Sequence, residues 1–269
     1  MLSNITVGQY FPGNSPVHRM DPRAKILLTV ALIVLIFVAQ GFVGYALIAL
    51  FVLGVTRLSG INPKFLLKGL KPILFIIAFT LILNLFFYQG ETVLVQLGFM
   101  RITLEGVYYA AYMAARPVLL VMSTQMMTLT TSPIALTDGL ESLMKPLSRL
   151  GFPGHELAMM MSIALRFIPT LLEETDKIMK AQTARGADFE SGNLINRAKA
   201  MVPLLVPLFV SAFRRADDLA MAMEARCYRG GNQRTRLKVL KFSKLDGYAA
   251  LMTAGLCALV LLERLMPWA

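Results

Sequence analysis

Two arginine-centred tripeptides are the residues of this 269-residue chain whose chemistry and spacing most suggest a binding role. Ala184-Arg185-Gly186 and Ala225-Arg226-Cys227 each place one arginine among small residues, at the predicted end of a helix. Arginine carries a permanently charged, planar group with five N–H donors. Small neighbours allow another backbone to approach closely. Such a tripeptide is suited to a groove lined with carboxylate or carbonyl oxygens.

A simple helix end also explains one such tripeptide taken alone. Arginine is favourable at the negative end of the helix dipole, and glycine commonly caps a helix in the left-handed conformation. The second tripeptide follows 41 residues after the first, in a similar setting. The pair therefore favours a functional role over ordinary capping.

Two long amphipathic helices are predicted to carry these tripeptides. Residues 155–185 begin with an apolar half and continue with a charged half, while residues 194–226 contain Pro203 and Pro207 early in the segment. Because proline disrupts a helix interior, we expect the regular part of the second helix to begin near Pro207. A shorter amphipathic helix is predicted within residues 133–150.

The composition indicates a membrane protein. Hydrophobic residues make up 56% of the chain, charged residues only 16%, and the mean hydropathy is +0.61. Soluble domains carry about 25% charged residues. Disorder and a disulfide-stapled secreted fold are excluded by this apolarity and by the presence of only two cysteines, Cys227 and Cys257.

Uncharged runs predict about five membrane-spanning helices in an all-α fold. Asp21-Pro22 is a typical helix start, and the run after Lys25 is too long for one span, so we expect two short helices turning near Gln40-Gly41. The remaining predicted spans cover residues 72–90, 106–137 and 247–262.

The distribution of Lys and Arg predicts the topology. Basic residues flank the first span and fill residues 57–71, which places the N-terminus and that loop in the cytoplasm. We therefore predict N-terminal membrane helices over 1–131, cytoplasmic amphipathic helices over 132–244 and a C-terminal transmembrane helix over 245–269, in the cell membrane.

A basic run just before the last predicted span suggests contact with anionic lipids. A second contact with a protein partner is an alternative, whereas nucleic acid is not expected beside a membrane span. The run comprises Arg226, Arg229, Arg234, Arg236, Lys238, Lys241 and Lys244.

Few other residues suggest chemistry. The chain contains no G-x-x-x-x-G-K-[ST] phosphate loop, and His18 and His155 have no ligand-spaced partners, so we expect neither a metal nor another cofactor. Arg116 lies inside a predicted span and is a functional candidate. Met159-Met160-Met161 fit ordinary packing or an adaptable surface for several partners.

The chain resembles the transmembrane T component of energy-coupling factor (ECF) transporters, which import vitamins and transition metals. The resemblance rests on Gly8-Gln9-Tyr10, on residues 18–25 (HRMDPRAK) and on the two tripeptides, and it covers essentially the whole chain. Cys227 departs from the glycine that is more usual in the family, and a left-handed backbone costs more at cysteine.

The resemblance implies a scaffold rather than an enzyme. Arg185 and Arg226 would each contact one of two cytoplasmic ABC-type ATPases. A separate small membrane protein, the S component, would bind the substrate, with Met159, Met160 and Met161 as candidate contacts. The T component would transmit ATPase closure to the S component.

Two other functions compete with this interpretation. A membrane-embedded lipid-modifying enzyme would need convergent acids or histidines, for which Asp217-Asp218 and His155-Glu156 are the candidates. A stand-alone channel or carrier would need several polar groups at membrane depth, and the spans offer Arg116, Asn84 and Gln125. We favour the scaffold.

Overall fold

The computed structural model describes residues 10–88, 90, 92–97, 100–146, 151–189, 193–230 and 239–265. The predicted all-α class is confirmed, with one short antiparallel hairpin in addition. The elements are α1 (Pro16–Arg19), α2 (Pro22–Val38), α3 (Phe42–Ser59), α4 (Pro63–Leu70), α5 (Leu74–Phe87), β1 (Val93–Leu97), β2 (Met100–Thr103), α6 (Leu104–Thr130), α7 (Pro133–Met144), α8 (Gly154–Ala184), α9 (Leu194–Ala225) and α10 (Lys244–Leu265).

The predicted start of the first long helix is confirmed. Pro22 is the first residue of α2, and the Asp21 carboxylate accepts a hydrogen bond from the Arg23 backbone N–H at 2.9 Å. This arrangement satisfies one of the helix's unpaired N–H groups. The expected turn is also present, since α2 ends at Val38 and α3 begins at Phe42.

The described residues form two compact units. One contains residues 10–142 and 239–265 within the described ranges, and the other contains residues 143–146, 151–189 and 193–230. In the first, α6 packs against α2, α3, α4 and α5, while α10 packs against α2 and α3. The core of this unit is made of aliphatic side chains that include Leu35, Ile36, Ile48, Val52, Leu119 and Val260.

A buried polar cluster joins the N-terminal ends of α2 and α10. The Asp246 carboxylate accepts hydrogen bonds from the Asp21 backbone N–H at 2.9 Å and from the Ser243 backbone N–H at 2.7 Å. Burial alone would raise the pKa of the Asp21 carboxyl, but hydrogen bonds from Arg23 and its charge outweigh burial and lower that pKa. The Lys25 ammonium donates to the Thr130 carbonyl at 2.9 Å, which ties α2 to the end of α6.

Arg116 faces the interior of the same unit. Its Nε donates to the Tyr45 hydroxyl at 3.0 Å, and its guanidinium lies 5.7 Å from the centre of the Phe37 ring. Tyr45 is buried and stacks on Tyr112. Arg116 thus binds side chains of its own unit, as expected for a charge among apolar helices.

Three described helices are long and apolar enough to cross a membrane, namely α3, α8 and α10. The bent pairs α4–α5, at 65°, and α6–α7, at 105°, bring the number to five if each pair is one span. α2 has 17 residues, at the short end of the range that crosses a hydrocarbon core. α8 is among these candidates by length and composition alone, which leaves its predicted cytoplasmic position untested.

The second unit consists mainly of α8 and α9, which pack against each other. α9 begins at Leu194 and contains both Pro203 and Pro207, so the expected start near Pro207 is wrong. The two prolines are four positions apart, so both rings lie on the same face of the helix. The helix can therefore continue while its hydrogen bonds are interrupted along one side only.

Candidate functional site

Arg185 occupies the C-terminal cap of α8. Gly186 follows in the left-handed conformation with φ of 88°. The Gly186 N–H donates to the Thr183 carbonyl at 3.0 Å, and the Ala187 N–H donates to the Gln182 carbonyl at 3.0 Å. These two bonds define a Schellman motif, which satisfies carbonyls at the helix end and turns the chain away.

Arg226 caps α9 in the same way. The Cys227 N–H donates to the Glu224 carbonyl at 2.8 Å, and the Tyr228 N–H donates to the Met223 carbonyl at 3.0 Å. Cys227 has φ of 55° and is the only non-glycine residue with positive φ in the described ranges. The departure from glycine at this position therefore leaves the cap geometry intact, at the steric cost of a Cβ in the left-handed region.

The two arginine tips, defined here as residues 184–186 and 225–227, are closely similar. Arg185 has φ and ψ of −89° and 7°, and Arg226 has −90° and 12°. All six residues of the tips are exposed. Each tip thus presents one guanidinium beside small residues at the negative end of a helix, available to carboxylate or carbonyl acceptors.

The candidate methionines lie near the start of α8. Met160 and Met161 are exposed and Met159 is half-buried. The three methionines are far from the tip of α8, because 23 residues of helix lie between Met161 and Arg185. They form a separate apolar surface on the same unit.

One contact between the two helices was missed in the sequence. The Arg215 Nη2 of α9 lies 3.0 Å from the Glu174 Oε2 of α8. The Arg215 Nε also donates to the Ser211 hydroxyl at 3.4 Å. The only signal for this contact in the sequence is the presence of opposite charges on two long amphipathic helices, which does not specify which side chains pair.

The remaining candidates divide between the two units and the undescribed segments. Arg234, Arg236 and Lys238 of the basic run lie outside the described residues. Within the described residues, no group of three or more His, Cys, Asp and Glu side chains could hold a metal ion. His18 is bound locally, with its Nδ1 2.7 Å from the Ser15 hydroxyl.

Comparison with known proteins gives a consistent result. Residues 13–237 match the family CbiQ, described as "Cobalt transport protein". The chain is 59% identical over 257 residues to the "Energy-coupling factor transporter transmembrane protein EcfT" of Thermosediminibacter oceani, which covers 96% of each protein. It is 47% identical over 264 residues to the protein of the same name from Bacillus subtilis, covering 98% of this chain and 100% of that protein.

A further relative of the same name, from Clostridium kluyveri, is 56% identical over 262 residues, which cover 97% of this chain and 95% of the relative. These relatives are named as membrane components of transporters and not as enzymes. With a family match over most of its length and such high identity, the chain belongs to the CbiQ family of transporter transmembrane proteins.

Proposed function

We propose that this chain is the membrane scaffold of an ECF-type importer of vitamins or transition metals. It couples ATP hydrolysis by two ABC-type ATPase subunits to movement of a substrate-binding S component. Family membership and the names of the relatives support a role as the membrane component of such a transporter.

The observation that carries the proposal is the equivalence of the two arginine tips. Each is exposed, has the same capping hydrogen bonds and directs one arginine from the end of a long helix. Two similar tips can bind two similar partners, and a pair of related ATPase subunits would be such partners. Arg185 contacts one subunit and Arg226 the other, through charge-assisted hydrogen bonds to acidic or carbonyl groups.

The coupling is mechanical. The sequence contains no P-loop, so the energy comes from the ATPases. When ATP draws the two subunits together, the bound tips move with them. Because a continuous α-helix is stiff along its axis, α8 and α9 transmit this movement from the tips to the exposed apolar surfaces along the helices.

The S component binds exposed apolar surface on these helices. Met160 and Met161 on α8, and Phe209, Val210 and Phe213 on α9, are all exposed. Large exposed apolar patches mark sites of protein or membrane contact. Methionine side chains repack easily, which allows one surface to accept different S components.

The proposed topology follows the distribution of basic residues. The N-terminus and residues 132–244 are cytoplasmic, where the tips reach the ATPases, and the chain crosses the cell membrane several times. Lys241 and Lys244, just before and at the start of α10, face anionic lipids, and Arg229, three residues after Arg226, faces anionic lipids or an ATPase.

Mass spectrometry of the mildly solubilised complex tests the proposal. A tagged chain should bring down two ATPase subunits and a small membrane protein in defined stoichiometry. A chain that runs alone in several mild detergents, or with an unrelated enzyme, would contradict the scaffold role. A charge-reversed Arg185→Glu and Arg226→Glu variant is the matched control, and it should lose the ATPases while remaining in the membrane.

A further inference from the structure

Glu174 and Arg215 lie at equivalent positions relative to the two tips. Glu174 precedes Arg185 by eleven residues, and Arg215 precedes Arg226 by eleven residues. Both intervals are continuous helix without proline. At a rise of 1.5 Å per residue, each arm from the ion pair to its tip is about 16 Å long.

The charges at this level are opposite on the two helices. At twelve and eleven residues before its tip arginine, α8 carries Glu173-Glu174. At the same two positions before its own tip arginine, α9 carries Arg214-Arg215. A slide of one helix along the other by one turn would displace Arg215 by about 5.4 Å and separate it from Glu174. The ion pair therefore fixes the axial position of α9 relative to α8, and at that position the two arms are of equal length.

The Glu174–Arg215 ion pair is oriented by a second hydrogen bond of the arginine. The Arg215 Nη2 lies 3.0 Å from the Glu174 Oε2, and the Arg215 Nε donates to the Ser211 hydroxyl, one helical turn earlier on α9, at 3.4 Å. The Arg215 and Glu174 side chains are 40% and 24% exposed. Ion pairs with such exposure contribute little to folding stability. This indicates that the pair positions α8 relative to α9 rather than stabilising the fold.

We propose that Glu174 and Arg215 are positioning residues that form the pivot between two arms of equal length. The inference rests on the proposed coupling function, because the pivot matters only if the tips carry force. With equal arms, closure of two ATPases displaces both tips by equal amounts about one fixed point. The pair keeps α8 and α9 from sliding while this happens.

Distances between spin labels test the pivot in the isolated full-length chain. Labels at Ala181 and Ala222, both exposed and each four residues before a tip arginine, are introduced after the native cysteines are replaced by Cys227→Gly and Cys257→Ser. Glu174→Lys or Arg215→Glu should shift or broaden the distance distribution by several ångströms. The double exchange Glu174→Arg with Arg215→Glu should restore it.

A matched control removes an ion pair that lies within one helix. Asp176 and Lys180 of α8 are 2.7 Å apart and exposed, so Asp176→Asn should leave the distances unchanged. The pivot is refuted if the single variants keep the original distribution, or if the exchanged pair remains as broad as the single variants.

The reconstituted transporter provides the second measurement. The single variants should retain ATPase association through the tips but import at least threefold less substrate per ATP hydrolysed, and the exchanged pair should recover. Unchanged coupling in the single variants would overturn the pivot. If the label distances respond as expected but no ATPase binds the chain, the proposed function fails while the geometry of the pivot stands.

Discussion

Gly186 and Cys227 adopt the same left-handed conformation at the ends of two helices, 41 residues apart. Their φ angles are 88° and 55°, and both donate a backbone hydrogen bond to the carbonyl three residues earlier. A glycine and a cysteine therefore perform the same capping task, with a steric penalty on the cysteine alone. The second tip thus keeps the capping geometry of the first in spite of its Cβ.

The first prediction concerns that penalty. Cys227→Gly removes a Cβ that costs about 1–2 kcal/mol in the left-handed region, partly offset by about 0.5–1 kcal/mol of backbone entropy. We expect ATPase affinity to be retained and thermal stability to be unchanged or slightly raised. Cys227→Val should lower ATPase affinity several-fold, because a β-branched side chain is strongly disfavoured there.

Cys257 provides the control for the cysteine substitutions. It lies in the interior of α10, away from positive φ. Cys257→Val should therefore leave ATPase affinity as it is. Equal affinity of Cys227→Val and Cys257→Val in a binding titration would show that the left-handed cap is dispensable.

The second prediction concerns the Asp246 carboxylate. Its replacement in Asp246→Ala leaves the Asp21 and Ser243 backbone N–H groups without their acceptor. The Asp21 N–H is buried, and leaving a buried donor unsatisfied costs about 1–3 kcal/mol. Because about 1 kcal/mol shifts Tm by about 2–4 °C in a chain of this size, Tm in detergent should fall by about 4–8 °C. Asp218→Asn, at an exposed position, should shift Tm by less than a degree or two, and an equal fall would argue against the cluster.

The third prediction concerns the methionines of α8. Replacement of Met159, Met160 and Met161 by leucine keeps the apolar surface but reduces its ability to repack. We expect the variant to retain some S components and lose others when partners are copurified from cells that express several. Retention of every partner in the original proportions would limit these methionines to packing.

The sequence predicted the long elements and the tips, and missed the contacts between distant segments. Asp21-Pro22, the turn at Gln40-Gly41 and the two helix ends carry local signals, which the structure confirms. The short α4, the hairpin and the start of α9 gave weak or conflicting signals. In particular, Pro203 and Pro207 predicted an interruption, but α9 continues through both prolines.

Long-range partners were not predictable in the same way. The Asp246 carboxylate accepts a hydrogen bond from the Asp21 N–H, 225 residues away in the sequence. The Glu174 carboxylate accepts one from Arg215, 41 residues away. Each acid is an ordinary helical residue in the sequence. Only the packing of α10 on α2, and of α8 on α9, gives these side chains their partners.

The most direct measurement of the central claim is the affinity of the two ATPases for chains with reversed tip charges. Loss of charge-assisted hydrogen bonds, worth about 1.5–3 kcal/mol, predicts at least about tenfold weaker binding for Arg185→Glu or Arg226→Glu, and loss of uptake in the double variant. Arg57→Glu, which reverses an exposed charge at the end of α3, should bind normally. Full ATPase affinity and full uptake by the double variant would contradict the account.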